Sequence, residues 1–362
     1  DLHYPLRRQR QMCIRDRFIH LFTVLSLAET AEKTAQSWKL DGREVPIPLG
    51  SSESLQNSLR GIDQPNVAAR IKQAPRNRQQ WDQMISERAE ARNTPLDQVE
   101  KMMSVKIDQT TINGVNVYWV TPAKASKEHK NHLMLYVHGG AYVFGGGDAS
   151  VFEASIISNS SGIRVLSIDY RMPPEHPFPQ AVEDTVSVYQ EILKRYEPNQ
   201  IAFGGTSAGG GLALAVAHKI KDLGLPQVGA IYAGTPWADL TKTGDTLYTN
   251  EGLDRVLVTY DGMLKAAALL YADGNDLKSP LLSPIYGNFE GYPPTILVTG
   301  TRDMFLSDTA RTHQKIRAAG GTADLLVLEG LSHAGYMFDL KSPESRLTYQ
   351  EISKFLKAHL QN

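Results

Sequence analysis

The chain predicts an α/β fold: a mostly parallel central sheet flanked by helices, with a helical cap. Three observations carry this. From about residue 110 onward, short β-rich runs alternate with stretches of helical length, the order that builds a parallel sheet. A polar, helix-patterned segment precedes that alternation and a second long segment interrupts it, which supplies the cap. At 362 residues the chain can bury a substantial core, as one large domain or two modest ones, and no repeat or low-complexity tract competes.

Taken in order, residues 1–17, "DLHYPLRRQRQMCIRDR", are strongly basic and unlike anything downstream; they read as a non-native leader of adaptor or vector origin. Arg15 and Arg17 then precede an apolar stretch, Phe18 to Ala28, ending in small residues at Ser26 and Ala28. That is the pattern of a secretory signal, so a periplasmic or secreted protein is expected. His20 and Thr23 interrupt the stretch, and a frayed amphipathic helix on a cytoplasmic protein is the alternative. A membrane-spanning helix needs about 20 residues, so no stable span is expected. Cys13, the single cysteine, offers no disulfide framework and no cysteine-based metal site.

Residues 29–105 read as an N-terminal helical cap segment, with apolar residues at helical spacing around Trp81, Met84 and Ile85, divided by Pro75 and Pro95. Residues 106–362 read as the catalytic domain. "TINGVNVYWVTP" alternates around an Asn-Gly turn signal, as a hairpin does. Strands are expected at Leu133–Val137, Val165–Asp169, Ile201–Gly204, Ala230–Ala233, Thr295–Thr299 and Asp324–Leu328, with helices near 149–160, 178–195, 208–222, 308–319 and 344–360. Residues 240–275 are too long for a simple connection and read as a helical insertion over the site.

The chemistry starts at Gly205-Thr206-Ser207-Ala208-Gly209, a G-x-S-x-G segment after a strand and before an apolar helix. A sharp strand-to-helix turn there presents a serine hydroxyl and aims the helix's free N–H groups at whatever it attacks. The competing readings are a chance match or a phosphate cradle. The second lacks Gly-x-Gly-x-x-Gly over 204–211 and a Lys-Ser/Thr after the glycines. A second glycine segment, "LYVHGGAYVFGGGD", follows a strand, with its histidine 69 residues before the serine. Its accessible backbone N–H groups suit a developing negative charge, although an ordinary glycine turn reads the same way.

With these pieces in place, the sequence resembles the hormone-sensitive-lipase-like branch of the α/β-hydrolases, the bacterial family IV esterases. The likeness covers roughly 110–362 and rests on "HGGAYVFG", "IDYRMPPEHPFPQAVED", "GGTSAGG", "GTRDMFLSD" and "LSHAGY", in the family's order. The serine motif matches the Gly-Thr-Ser-Ala-Gly subgroup. The resemblance implies an oxyanion hole on the Gly139-Gly140-Ala141 loop, with N–H groups of Gly140, Ala141 and Ala208 as donors. The family usually has a third glycine where this chain has Ala141. A backbone donor survives that change if its φ is ordinary, while the space for bulky alcohols narrows.

A serine needs a base, and the base an orienting carboxylate, in the chain order Ser, Asp/Glu, His. Of the later histidines, His313 falls in a helical stretch and His359 near the C-terminus, whereas His333 sits in a loop after the last core strand and is the expected base. Asp303 directly follows a strand and is the expected acid. Asp308 is the runner-up but suits a helix N-cap, and Asp239 and Glu329 are weaker. The resemblance also selects Asp303, and it implies that His138 braces the glycine loop. Tyr170-Arg171 and Glu175-His176 read as a structural ion-pair and turn network. His129 and His132 lie in a polar loop without metal-ligand spacing. Tyr142, Phe144, Trp237 and Met304 read equally as an acyl-pocket lining or as core.

The expected function is that of a serine carboxylesterase for short- to medium-chain acyl esters, working through an acyl-enzyme. No cofactor and no metal are expected. An amidase or peptidase with the same triad, and a non-catalytic ligand-binding receptor on the same fold, are the alternatives. The expected partner is a small-molecule ester. The near balance of 38 basic against 39 acidic residues, a formal charge of −1, gives no footprint for nucleic acid, and a homodimer is left open.

Overall fold

The structure is a computed structural model that describes residues 42, 44–91 and 94–361. The basic leader and the signal-like stretch lie outside the described residues. The chain divides into two units, 1–46 and 47–362, and the described residues of the first carry no helix or strand.

The second unit opens with four helices, α1 (Glu53–Arg60), α2 (Val67–Lys72), α3 (Arg78–Ala91) and α4 (Leu96–Met103). Ser52 caps α1, its Oγ accepting from Leu55 N at 3.2 Å while its own N–H donates to Glu344 at 2.8 Å. One residue thus stops the helix from fraying and ties it to the last helix of the chain. In α3, Trp81 is buried and its ring lies 6.1 Å from Phe144, while Met84 and Ile85 are half-buried on the same core. The helical spacing of these apolar residues therefore finds its partner in the glycine loop's own phenylalanine.

An eight-stranded sheet follows, in the order β1-β2-β4-β3-β5-β6-β7-β8. Strands β1 (Val105–Ile112) and β2 (Val115–Pro122) form the expected hairpin, with Asn113 at φ 49° and Gly114 at φ 80°. Positive φ at both turn residues matches the strand twist, which is why Asn-Gly serves there. β2 pairs antiparallel with β4 (Arg164–Asp169); from there β3 (Leu133–Val137), β5 (Ile201–Thr206), β6 (Ala230–Gly234), β7 (Thr295–Gly300) and β8 (Ala323–Leu328) are parallel. Every residue of β3, β5, β6 and β7 is buried, as a sheet covered on both faces requires.

Alternation along β3 divides the core in two. Leu133, Leu135 and Val137 join one cluster with α6 (Gln180–Ile192) and α7 (Ala208–Asp222). Met134 and Tyr136 join the other with α5 (Val151–Ser161) and α11 (Pro343–His359). The remaining helix against the sheet is α10 (Leu306–Ala318). β5 runs two residues beyond the expected end and stops at Thr206, which delivers the chain directly to Ser207.

The 240–275 segment departs from the expected helical insertion. Only α8 (Thr246–Thr249) and α9 (Lys265–Ala272) are α-helical, with a π turn at Tyr260–Leu264. Val258 at φ 65° and a non-helical Gly262 interrupt the rest.

His129 and His132 are buried, contrary to the polar-loop reading. Their Nδ1 atoms lie 2.9 Å apart, and His132 Nε2 lies 3.1 Å from the Gln361 carbonyl. The carbonyl can only accept, so His132 carries its proton on Nε2 and takes the His129 Nδ1–H on its other nitrogen. Burial pushes His129 down to about 4, and His132 is lowered for the same reason. In the unfolded chain both ionise near the ordinary histidine value of about 6.5. Their contribution is therefore fully present above about pH 6.5 and is lost as the pH falls toward 4, because the unfolded chain takes up the protons first. We expect the melting temperature to fall between pH 7 and pH 5, and His129→Gln to reduce that fall. Paired thermal melts of the two proteins at both pH values check it.

Candidate active site

Ser207 stands between the last residue of β5 and the first of α7 with φ 64° and ψ −124°, a strained conformation for a side chain with a Cβ. Ser207 N donates to Gly234 O at 2.8 Å, and its carbonyl accepts from Gly211 N at 3.0 Å and Trp237 N at 2.9 Å. The turn also depends on two glycines. A Cβ on Gly205 would come within 2.4 Å of Val137 O, and one on Gly209 within 2.1 Å of the same atom. The flanking glycines of the motif are thus fixed by the close approach of β3.

The hydroxyl so presented meets a histidine. His333 Nε2 lies 2.8 Å from Ser207 Oγ, and His333 Nδ1 lies 3.1 Å from Asp303 Oδ1. With Nδ1–H donated to the carboxylate, the Nε2 lone pair faces the serine. Asp303 is fully buried and accepts two further hydrogen bonds, from Phe305 N at 2.8 Å and Thr299 Oγ1 at 2.8 Å, so its orientation is fixed from both oxygens. Phe305 packs edge-on against the imidazole at 4.9 Å.

The competing acids are elsewhere. Asp308 lies inside the first turn of α10 and does not cap it; its carboxylate accepts from Asp239 N at 3.0 Å. Asp239 in turn takes Arg311 at 2.8 Å and the Tyr286 hydroxyl at 3.1 Å, and Glu329 is exposed. His138 is buried, stacks on Tyr170 at 4.2 Å and places Nδ1 2.9 Å from Gly139 O, behind the glycine loop. Arg171 pairs with Asp184 at 2.6 Å, and Glu175 pairs with Arg78.

Gly139, Gly140 and Ala141 border the same cavity as Ser207. A Cβ on Gly139 would meet Thr206 O at 2.6 Å, and one on Gly140, whose φ is 120°, would meet Phe144 O at 2.1 Å. Ala141 corrects the expectation of an ordinary φ: it sits at φ 56°, left-handed, which costs an alanine about 1 kcal/mol. The loop closes by Val143 and Phe144 N–H groups donating to Gly140 O, at 3.0 and 2.8 Å. Among the described residues, no protein acceptor takes the N–H groups of Gly140, Ala141 or Ala208.

The cavity holds about 540 Å³. Of the four aromatic and methionine candidates, only Phe144 lines it. Tyr142 stacks on Tyr271 at 4.0 Å, Trp237 on Phe305 at 5.5 Å, and Met304 is fully buried; all three belong to the core. The apolar wall comes instead from Val99, Phe152, Val256, Leu257, Met263, Leu264, Met337 and Phe338. Single apolar residues scattered over four segments carry no motif, so nothing in the sequence singles them out.

A second omission is Glu153, buried under β5, the strand that leads to Ser207. It accepts from Thr206 Oγ1 at 2.8 Å, Tyr232 OH at 2.8 Å and Tyr136 OH at 2.6 Å, and Tyr336 OH reaches Thr206 at 3.1 Å. Burial raises its carboxyl despite these donors. Thr206, the second residue of the serine motif, is therefore a strut, joined through hydroxyls to the loop that follows His333. Among the described residues no group of His, Cys, Asp and Glu could hold a metal ion, and no helix is long and apolar enough to cross a membrane.

Residues 134–337 match the family described as the alpha/beta hydrolase fold. The chain is similar to the crystal structure of esterase E25, with a TM-score of 0.87 and 43% identity over 90% of this chain and 99% of that one. It is also similar to the crystal structure of an esterase from the bacterial hormone-sensitive lipase family, with a TM-score of 0.64 and 31% identity over 79% of this chain and all of that one, 100%. An acetyl-hydrolase of Streptomyces hygroscopicus is 32% identical over 251 residues, 69% of this chain and 82% of its own length.

Replacing Thr206 with Val keeps the shape and removes the hydroxyl. Glu153, Tyr232 and Tyr336 each lose a buried partner, so a loss of about 1–3 kcal/mol is expected. Urea denaturation of Thr206→Val against the wild type checks it.

Proposed function

Because the chain belongs to the α/β-hydrolase family, in its hormone-sensitive-lipase-like branch, and is a carboxylic ester hydrolase, we propose that Ser207, His333 and Asp303 form its catalytic triad. The observation that carries this reading is the line of hydrogen bonds from Asp303 Oδ1 through the imidazole to Ser207 Oγ, 3.1 and 2.8 Å long. The motif Gly205-Thr206-Ser207-Ala208-Gly209 supports placing the chain in the Gly-Thr-Ser-Ala-Gly subgroup.

In the first half-reaction Ser207 Oγ attacks the ester carbonyl while His333 Nε2 takes its proton. Asp303 holds the tautomer that leaves Nε2 free and stabilises the imidazolium that forms. The developing oxyanion is met by the N–H groups of Gly140, Ala141 and Ala208, the last at the N-terminus of α7, with Gly139 shaping the approach. His333 then gives its proton to the leaving alcohol. In the second half-reaction water attacks the acyl-enzyme with His333 again as base, releasing the acid and restoring Ser207.

The 540 Å³ cavity with its apolar wall supports acyl chains of short to medium length. Phe144, Val256, Leu257 and Leu264 would surround the chain, and Ala141, which borders the cavity, would narrow the space for a bulky alcohol. The signal-like stretch Phe18–Ala28 supports export to the periplasm or beyond.

With p-nitrophenyl esters from C2 to C12 at pH 7–8, the wild type is expected to turn over the shorter chains and to fail progressively toward C12. Ser207→Ala should lose at least about 10³-fold, keeping only the contribution of the oxyanion hole and binding. Equal activity in the mutant ends the triad reading. Filling the wall with Leu257→Trp should move the preferred chain length down by several carbons; an unchanged profile would place the acyl group elsewhere.

A further inference from the structure

Asp254 is a fully buried carboxylate that the mechanism above does not use. Its Oδ1 accepts from Val256 N at 2.8 Å and Leu257 N at 3.2 Å. Its Oδ2 accepts from Met304 N at 2.9 Å and His333 N at 3.3 Å. One side chain therefore joins three things: the backbone of two residues on the apolar wall, the residue after Asp303, and His333 itself. Its neighbours in the segment repeat the attachment. Asn250 Nδ2 donates to Asp303 O at 2.8 Å, Thr246 Oγ1 to Met304 O at 2.9 Å, and Arg255 N to Ser332 Oγ at 3.2 Å. The left-handed Val258 follows directly, with its N–H on Asp254 O at 3.1 Å.

We propose that Asp254 is a positioning residue, which sets the His333–Asp303 pair in register with the acyl wall at Val256 and Leu257. This rests on the triad reading of Ser207, His333 and Asp303. An acyl chain that displaces the wall bears on the same carboxylate that holds the base, so pocket occupancy and base alignment are coupled.

The charged groups facing Asp254 are Asp303 on the acid loop, His333 on the base loop and Arg255 beside it. Burial first, then the Asp303 carboxylate, push the Asp254 carboxyl up to about 6, against the pull of His333 and the backbone donors. Above that value it holds a negative charge beside the His333–Asp303 pair.

The test compares Asp254→Asn and Asp254→Glu with the wild type, using p-nitrophenyl acetate across pH 5–9, thermal melts, and labelling by a fluorophosphonate. In Asp254→Asn the amide nitrogen faces a pair of N–H donors, so kcat should fall at least about 10-fold with little change in KM. Loss of the charge should also move the acid limb of kcat/KM down by about half to one pH unit. A carboxylate that merely stabilises the fold would lower the melting temperature and leave that limb in place. Asp254→Glu keeps the charge but misplaces it. It should lose kcat with the limb unmoved, and it carries the test if the Asn variant does not fold. A wild type that resists the fluorophosphonate overturns the triad reading and the inference with it. A labelled wild type, with folded variants that label and turn over at its rate, overturns the inference alone.

Discussion

The strained turn at Ser207 is the constraint on which the rest of the molecule depends. A side chain with a Cβ is held at φ 64° only because the strand before it and the helix after it are each locked by their own packing. β5 runs between β3 and β6 with every residue buried, and β3 approaches so closely that positions 205 and 209 have room for glycine alone. The parallel sheet is thus the device that forces an unfavourable backbone conformation and keeps it. The same crowding fixes the glycine loop, whose Gly139 sits against Thr206 O. Proposed nucleophile and proposed oxyanion donors are therefore placed by one set of contacts between neighbouring strand ends.

How much of this was legible in the sequence follows from how local each cause is. The hairpin at Asn113-Gly114, the strand-to-helix turn at Ser207 and the alternation of strand and helix are written in adjacent residues, and the fold reads off them. Chain order and elimination point to His333 and Asp303, the family resemblance also selects Asp303, and the geometry brings both to Ser207. What escaped is set by tertiary neighbours. Nothing near Tyr142, Trp237 or Met304 tells that their rings and thioether turn to the core while Phe144 turns to the cavity. Asp254 and Glu153 are ordinary acidic residues in sequence. Only the fold surrounds one with four backbone N–H groups and the other with hydroxyls from distant strands. The left-handed Ala141 belongs here too, since an alanine in that conformation is a product of the loop's closure and not of its own preference.

The covering segments show a division of labour. The N-terminal helices attach through Ser52 to Glu344 and through Trp81 to Phe144, and add Val99 to the wall of the cavity. Segment 246–258 attaches through backbone and side-chain hydrogen bonds to the loops bearing Asp303 and His333. Its own turn is made locally, with the Val256 and Leu257 N–H groups on Asp254 Oδ1. Variation in the first segment changes the shape of the cavity, while variation in the second also reaches the groups beside it.

Glu153 has a consequence for how the protein comes apart. Helix 151–161, three strands and the turn after His333 converge on one buried carboxylate and its ring of hydroxyls. Many active sites sit in regions that open locally, ahead of the body of the protein. Here the floor beneath Ser207 is the same polar knot that crosslinks the sheet to the helix on one of its faces. Glu153, Tyr136 and Thr206 border the cavity on one side, and the bonds among them join the sheet to its covering helix. Loosening the ground under the serine therefore means breaking the bonds that hold the sheet to that helix, so the two are expected to open together.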